Sequence, residues 1–162
     1  MTTQVRGILG IFAAAALLAS AQARAEATLV AMRGDVRVGA SPAVAQQRVI
    51  SGSTVNTGIG AQAVLRFDDD QQVVLNENTT FRIADFRYRA AEPRGDRAVF
   101  DLLRGALRFI TGVVGSRNPN AVQLRVPQAT IGIRGTDFMV ALVSPAYLQV
   151  LNGTTSVVNG AG

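Results

Sequence analysis

The feature that most constrains the fold is a repeated alternation of apolar and polar residues, interrupted every few positions by turn-forming residues. From Thr28 onward such segments follow one another, and a helical period of 3.6 residues is almost absent. The clearest segment is 80–88, in which Phe81 and Ile83 share one face. Alternation with a period of two is typical of half-buried strands. The sequence therefore predicts an all-β domain.

Irregularities in this pattern predict where strands bend or end. Residues 84–85 shift the alternation and indicate a β-bulge. Residues 90–97 are polar and contain Pro and Gly, so we expect an exposed loop. We expect a turn between two strands at 104–105. We also expect a terminal hairpin around the Asn-Gly pair at 152–153, which is a favoured two-residue turn.

An apolar residue followed by Arg or Asn and then Gly occurs four times, ending at Gly34, Gly105, Gly135 and Gly153. The unequal spacing excludes a solenoid repeat of fixed length. It does indicate repeated corners between short strands. These corners favour an irregular, twisted β-helix or β-roll-like domain, with a β-sandwich as the alternative.

Composition narrows the function. The chain has 162 residues, 48% of them hydrophobic and 17% charged, which fits one compact domain with a core. It contains neither Cys nor His, so Cys–His nucleophiles, Ser–His–Asp triads and zinc sites of the usual kind are excluded. The remaining carboxylates are scattered along the chain. We expect no enzyme, no cofactor and no metal.

The first 25 residues are typical of a secretory signal peptide. An apolar run at 8–21 is too short for a membrane span of roughly 20 residues, and Ala-Arg-Ala at 23–25 predicts cleavage before Glu26. An uncleaved anchor is the alternative. We expect a mature all-β domain at 26–162 with no transmembrane segment, located in the periplasm, with secretion or surface association as alternatives. Because an exported protein does not meet nucleic acid in the cytoplasm, we expect no nucleic-acid partner.

Two sequence blocks carry a family resemblance. They are LLRGALRF at 102–109 and VPQATIGIRGTDF at 126–138, supported by a turn-rich opening at 52–67 and a closing segment at 150–158. Together they resemble the FecR-domain family over about 48–158. The resemblance implies an extracytoplasmic β domain, which in the family's best-known setting is the periplasmic part of an inner-membrane regulator. That regulator relays a signal from an outer-membrane siderophore receptor to a cytoplasmic sigma factor.

We expect the chain to differ from that regulator, because its first 25 residues are interpreted as a cleavable leader and not as a cytoplasmic region followed by a spanning helix. We also expect no second periplasmic subdomain, because the sequence ends at Gly162. We therefore expect no direct sigma-factor regulation. The expected function is a non-catalytic envelope module, a signalling accessory that contacts an envelope protein.

The second block predicts either a structural corner or a partner contact. Arg134 and Asp137 are close enough in sequence to form an ion pair across the turn, and Thr136 can bond a turn amide. In the contact hypothesis Arg134 is the anchor, because Arg is favoured at interface hot spots. The motif residues are Gly132, Arg134, Gly135, Thr136, Asp137 and Phe138, and the second motif is Arg104 and Gly105.

Five Arg side chains are predicted on the outer faces of their strands, where neighbouring strands would join them into a basic stripe. This stripe supports an alternative function, the binding of an acidic glycan or lipid phosphate. A solvated face that discourages edge pairing is the simpler interpretation. The residues are Arg82, Arg87, Arg89, Arg108 and Arg125.

Three consecutive aspartates at 68–70 resemble a cluster of oxygen ligands, to which Glu77 and Asn78 could add. Calcium requires six to eight oxygens, and the spacing of a calcium-binding loop is absent. We therefore predict a solvated hairpin turn at this position.

Overall fold

The structure is a computed structural model that describes residues 27–160; the predicted signal peptide lies outside these residues. It contains twelve strands, one short helix and two 3₁₀ turns at Pro93–Gly95 and Pro119–Ala121. No helix within 27–160 is long and apolar enough to cross a membrane. The elements are β1 (Ala27–Arg33), β2 (Val36–Val38), β3 (Ser41–Pro42), β4 (Arg48–Val49), β5 (Thr54–Thr57), β6 (Gln62–Phe67), β7 (Gln72–Leu75), β8 (Thr80–Arg87), β9 (Arg97–Ile110), α1 (Val113–Arg117), β10 (Val122–Val126), β11 (Ala129–Leu142) and β12 (Tyr147–Asn159).

The long strand β9 organises the sheet. Its first half pairs with β8 on one side and, in parallel, with β10 on the other. Its second half pairs with β7 and β11. All other pairings among the described strands are antiparallel. A single sheet therefore curls around one strand that belongs to both of its halves.

The inner faces of the two halves pack against each other through phenylalanines. Phe67 on β6 lies edge-on to Phe86 on β8 and to Phe100 on β9, with ring centroids 4.9 and 5.2 Å apart. Phe100 also contacts Phe109, which stacks on Phe138 of β11 at 5.3 Å. All five rings are buried. Burial of this apolar cluster is the main force that holds the curled sheet closed.

The all-β prediction is confirmed. The β-bulge in β8 is confirmed as well, because the register against β9 shifts between Ile83 and Asp85. The exposed loop predicted at 90–97 is confirmed for 90–95, which include the first 3₁₀ turn. It is wrong for the last two residues, because Asp96 is buried and accepts a hydrogen bond from the Arg89 amide, and Arg97 begins β9. The finer β-helix subtype stays a prediction, since the observed topology is a curled, mainly antiparallel sheet.

The predicted turn at 104–105 is wrong. Gly105 has a φ of +88° and bends β9, but the strand continues in the same direction. Glycine is required at position 105 because a Cβ there would lie 2.5 Å from the Cα of Thr79. Glycine at this position allows a left-handed φ and the close approach of two backbones. Glycine also occurs in turns for the same reasons, so the sequence alone does not tell a bent strand from a chain reversal.

The predicted terminal hairpin at 152–153 is also wrong. β12 runs from Tyr147 to Asn159 without reversing and pairs along β11, so the hairpin turn lies at 143–146. Gly153 has a φ of +86° and sits against the backbone of Gly135, where both strands bulge. The Asn-Gly pair therefore marks a bulge and not a turn.

Candidate interaction surfaces

The corner in β11 is built around the buried hydroxyl of Thr136. This hydroxyl donates to the carbonyl of Thr154 at 2.8 Å and accepts from the amide of Arg134. The Thr136 amide donates to the Thr111 hydroxyl at 3.0 Å, and that hydroxyl donates back to the Thr136 carbonyl. Thr136 thereby joins β11, β12 and the end of β9. The structural interpretation of the corner follows directly from this network.

The predicted ion pair between Arg134 and Asp137 does not form. Asp137 instead accepts two hydrogen bonds from Arg108 on β9, at 2.9 and 2.6 Å. The Arg108 guanidinium lowers the pKa of Asp137, chiefly through these hydrogen bonds, and the pair raises the pKa of Arg108. The bulge between residues 134 and 137 separates the predicted partners and brings Asp137 beside β9.

The other residues of the motif at 132–138 differ in their exposure to solvent. Phe138 lies fully in the core, and Gly132 is half-buried where a Cβ would press on the Ser156 hydroxyl. Gly135 has a φ of +56° in the bulge. Arg134 is exposed, and the described residues provide no carboxylate or carbonyl for its guanidinium. It is the motif side chain that a partner could reach.

The second motif supports the bend in β9. The Arg104 Nε donates to the carbonyl of Asn78 at 3.1 Å. Next to Gly105, the Thr79 hydroxyl donates to the Ala106 carbonyl and accepts from the Ala106 amide, at 3.0 and 3.1 Å. Arg104 therefore holds the loop after β7 against β9, and Gly105 leaves the space that Thr79 needs to approach.

The structure does not gather the five predicted Arg residues into one stripe. Arg82, Arg87 and Arg125 lie on the half of the sheet formed by β8, β10 and the start of β9. Arg89 follows β8 in the exposed loop. Arg108 lies past the bend in β9, on the other half of the sheet.

Four of these five Arg residues have a carboxylate partner. The shortest ion-pair distances are 2.7 Å for Arg125–Asp101, 2.6 Å for Arg108–Asp137, 2.9 Å for Arg87–Asp85 and 3.0 Å for Arg89–Glu92. Asp85 also pairs with Arg97, which stands directly opposite Arg87 across the strands. These carboxylates neutralise part of the positive charge, so the positive electrostatic potential around the five Arg residues is weaker than their number suggests.

The three aspartates of the turn at 68–70 have different environments. Asp70 is exposed as predicted, but Asp69 is buried and accepts hydrogen bonds from the amides of Gln71 and Val114, both at 3.1 Å. Asp69 thus fastens α1, which lies between β9 and β10, to the turn between β6 and β7. Burial raises the pKa of Asp69, and the two amide bonds offset part of that rise. No cluster of three or more acidic side chains that could hold a metal occurs in 27–160.

Sequence reasoning missed an open groove beside the bulge in β8. It is lined by 50–52 and by 84–95, with Arg87, Arg89 and Arg94 alongside Asp85 and Glu92. Its mixed charge and open shape fit a protein or solvent contact better than a small ligand. The polar, Pro-containing loop was the available sequence signal.

Sequence reasoning also missed the exposure of β12. Twelve of its thirteen residues are exposed, and they include Tyr147, Leu148, Val150, Leu151, Val157 and Val158. A signal was present in the sequence: no charged residue occurs after Asp137, although the chain contains 16 Arg. An uncharged C-terminal segment of this length is unusual for a solvated edge.

The fold is shared with two crystal structures from Parabacteroides distasonis ATCC 8503, each described as a candidate anti-sigma factor. The first has a TM-score of 0.52 and 16% identity, and the second has a TM-score of 0.50 and 18% identity. Each match covers 67% of this chain and 48% of the other, so the chain spans about half the length of these structures. No curated protein showed significant similarity to the chain.

The part of the chain that matches a protein-family model contains both sequence blocks, 102–109 and 126–138. The model of the FecR protein family matches residues 53–156, which include the bent β9, the Thr136 corner and most of β12. The match extends over well more than half of the chain. The chain belongs to the FecR protein family.

Proposed function

We propose that this chain is an exported, non-catalytic envelope module that contributes to signalling by binding another protein through the corner at Arg134. Membership of the FecR family and the shared fold with candidate anti-sigma factors support a regulatory role over an enzymatic one. Several carboxylates of 27–160 are already engaged as structural partners: Asp137 and Asp101 pair with Arg side chains, and Asp69 accepts from a backbone amide.

The single observation that carries the proposal is the contrast within the motif. Thr136, Asp137 and Phe138 are held by hydrogen bonds, an ion pair and the core, whereas Arg134 is exposed on the same corner without such a partner. The corner therefore holds the backbone of Arg134 in a fixed place and leaves its guanidinium available. A carboxylate of a partner protein is the matching group.

The alternative, binding of an acidic glycan or lipid phosphate by an Arg-rich face, has less support. Four of the five Arg residues already contact carboxylates, and the five are distributed over two halves of the sheet. A phosphate would have to compete with those carboxylates for each guanidinium. Arg82 alone among the five has no ion pair with a described residue.

The test is photo-crosslinking in living cells with a photoreactive amino acid at position 134. Position 33 is the matched control, because Arg33 is also exposed but lies at the end of β1. We expect a heterologous adduct from position 134 and none from position 33, together with recovery of the chain in the periplasmic fraction. Equal labelling from both positions, or none from 134, would contradict the proposal. An adduct at twice the chain's mass would report self-association instead.

A further inference from the structure

The strand β12 is a bare edge of unusual length. It pairs with β11 on one side, and no described strand lies on its other side. At about 3.3 Å per residue, its thirteen residues span roughly 43 Å. Such an edge presents a row of backbone donors and acceptors that can pair with a further strand.

The inner face of β12 continues the apolar core but remains uncovered. Val150 stands opposite Phe138 and Val157 opposite Ile131, both of which are buried. Val150 and Val157 are nevertheless 40% and 54% exposed. The apolar face of the sheet therefore extends as far as β12, but the rest of the described chain leaves it partly uncovered there. A strand added at this edge would extend the same apolar face.

We propose that the occupant of this edge is β12 of a second copy of the chain, in an antiparallel pair about a two-fold axis. The first reason is charge. β12 contains no charged residue, so two copies meet there without repulsion, whereas the rest of this basic chain is rich in Arg. Pairing consumes the edge of both copies, so the assembly closes as a dimer.

The second reason is the bulge, which determines one register. The bulge shifts the parity of β12, so that Leu148 and Val150 before it face inward together with Thr155 and Val157 after it. An antiparallel copy matches inward with inward residues along the whole strand when Leu148 lies opposite Val157 of the second copy. Val150 then lies opposite Thr155, and the axis passes between Asn152 and Gly153.

On the outer face, the same register places Tyr147 opposite Val158 of the second copy. Both are exposed in the single chain, at 61% and 58%. An aromatic residue opposite a β-branched residue is a favourable cross-strand pair. The two-fold axis forms this contact twice in each dimer. This self-association is independent of the proposed function, because it uses an edge and not the Arg134 guanidinium.

Disulfide crosslinking tests the register, since the chain contains no Cys of its own. The double variant Tyr147→Cys/Val158→Cys should form a covalent dimer under mild oxidation. The two positions are too far apart along one strand for a bridge within a chain. The control Tyr147→Cys/Val157→Cys places the thiols on opposite faces and should remain largely monomeric. Dimers from the control, and none from the first variant, would overturn the proposed register.

Sedimentation of the purified, unmodified chain tests the dimer itself. We expect a concentration-dependent monomer–dimer equilibrium, in which Val158→Arg raises the dissociation constant at least tenfold. Ile59→Arg is the matched control, because Ile59 is 86% exposed in a turn remote from β12, and its dissociation constant should be unchanged. Circular dichroism verifies folding of both variants. A chain that is monomeric at all concentrations, or a dimer that both variants weaken equally, would overturn the proposal.

Discussion

The edges of the sheet differ sharply. β3 and β4, at the two ends of the main strand order, have two residues each, and they carry Pro42 and Arg48. β12 has thirteen residues with neither proline nor charge. Short edges, proline and cationic side chains are the usual means by which proteins prevent edge-to-edge association. The comparison teaches that two edges of this domain are protected and that the third is built to pair.

The largest expected effect is the difference in stability lost on truncating a side chain in the phenylalanine cluster and one on β12. Phe100→Ala should lower the free energy of unfolding by about 4 kcal/mol, because Phe100 contacts the aromatic rings of both halves of the sheet. Val150→Ala is the counterpart on β12 and should cost less than about 1 kcal/mol, since its side chain is only partly covered. Urea unfolding at low protein concentration measures both. Equal costs would mean that β12 is as well packed as the core.

The next effect compares the bend in β9 with a turn beside the protected edge. Gly105→Ala should destabilise the fold by about 3 kcal/mol, because the new methyl group meets Thr79 and the residue keeps a positive φ. Gly39→Ala, which has a positive φ but open space around it, should cost about 1 kcal/mol. Thermal unfolding of both variants provides the comparison. If both lose the same stability, close approach at Gly105 is not what the bend requires.

A smaller effect distinguishes the internal and external parts of the Thr136 corner. Thr136→Val keeps the shape but removes the hydrogen bonds to β12 and to the Arg134 amide, so we expect a loss of about 1.5 kcal/mol. Arg134→Ala should change stability by less than about 0.5 kcal/mol, because the side chain is exposed. Denaturant titration measures both changes. Unfolding caused by Arg134→Ala would assign that residue to the structure and remove the basis of the contact proposal.

The smallest effect is a dependence on pH with opposite signs at two aspartates. The pKa of Asp69 is raised on folding, so its contribution to stability is present below the ordinary value of 3.8 and is lost as pH rises through the folded pKa. The pKa of Asp137 is lowered, so its contribution is present above 3.8 and is lost as pH falls through the folded pKa.

Melting temperatures between pH 3 and 7 check these signs against Asn variants. Relative to the wild type, Asp69→Asn should become more destabilising as pH falls from neutral toward 4. Asp137→Asn should become less destabilising as pH falls below 4. Parallel profiles for the wild type and Asp69→Asn would show that Asp69 does not titrate in this range.

The local pattern was sufficient to predict strands and the bulge in β8, because alternation and its interruption are properties of neighbouring residues. It was insufficient at 104–105 and 152–153, where glycine was interpreted as a turn. At both places the glycine permits contact with a strand distant in sequence, Thr79 in one case and Gly135 in the other. Sequence proximity also suggested the pair Arg134–Asp137, whereas the fold joins Asp137 to Arg108.

The sequence by itself determined the all-β class, the family and the residues of the corner, since these depend on periodicity and on the motif at 126–138. The tertiary structure decided which Arg residues are neutralised, that Asp69 is buried, and that β12 is left bare. These properties depend on which strands become neighbours when the apolar faces close around the phenylalanine cluster. Several of the strands that become neighbours are far apart in sequence, so no single segment of the sequence specifies which of them pair.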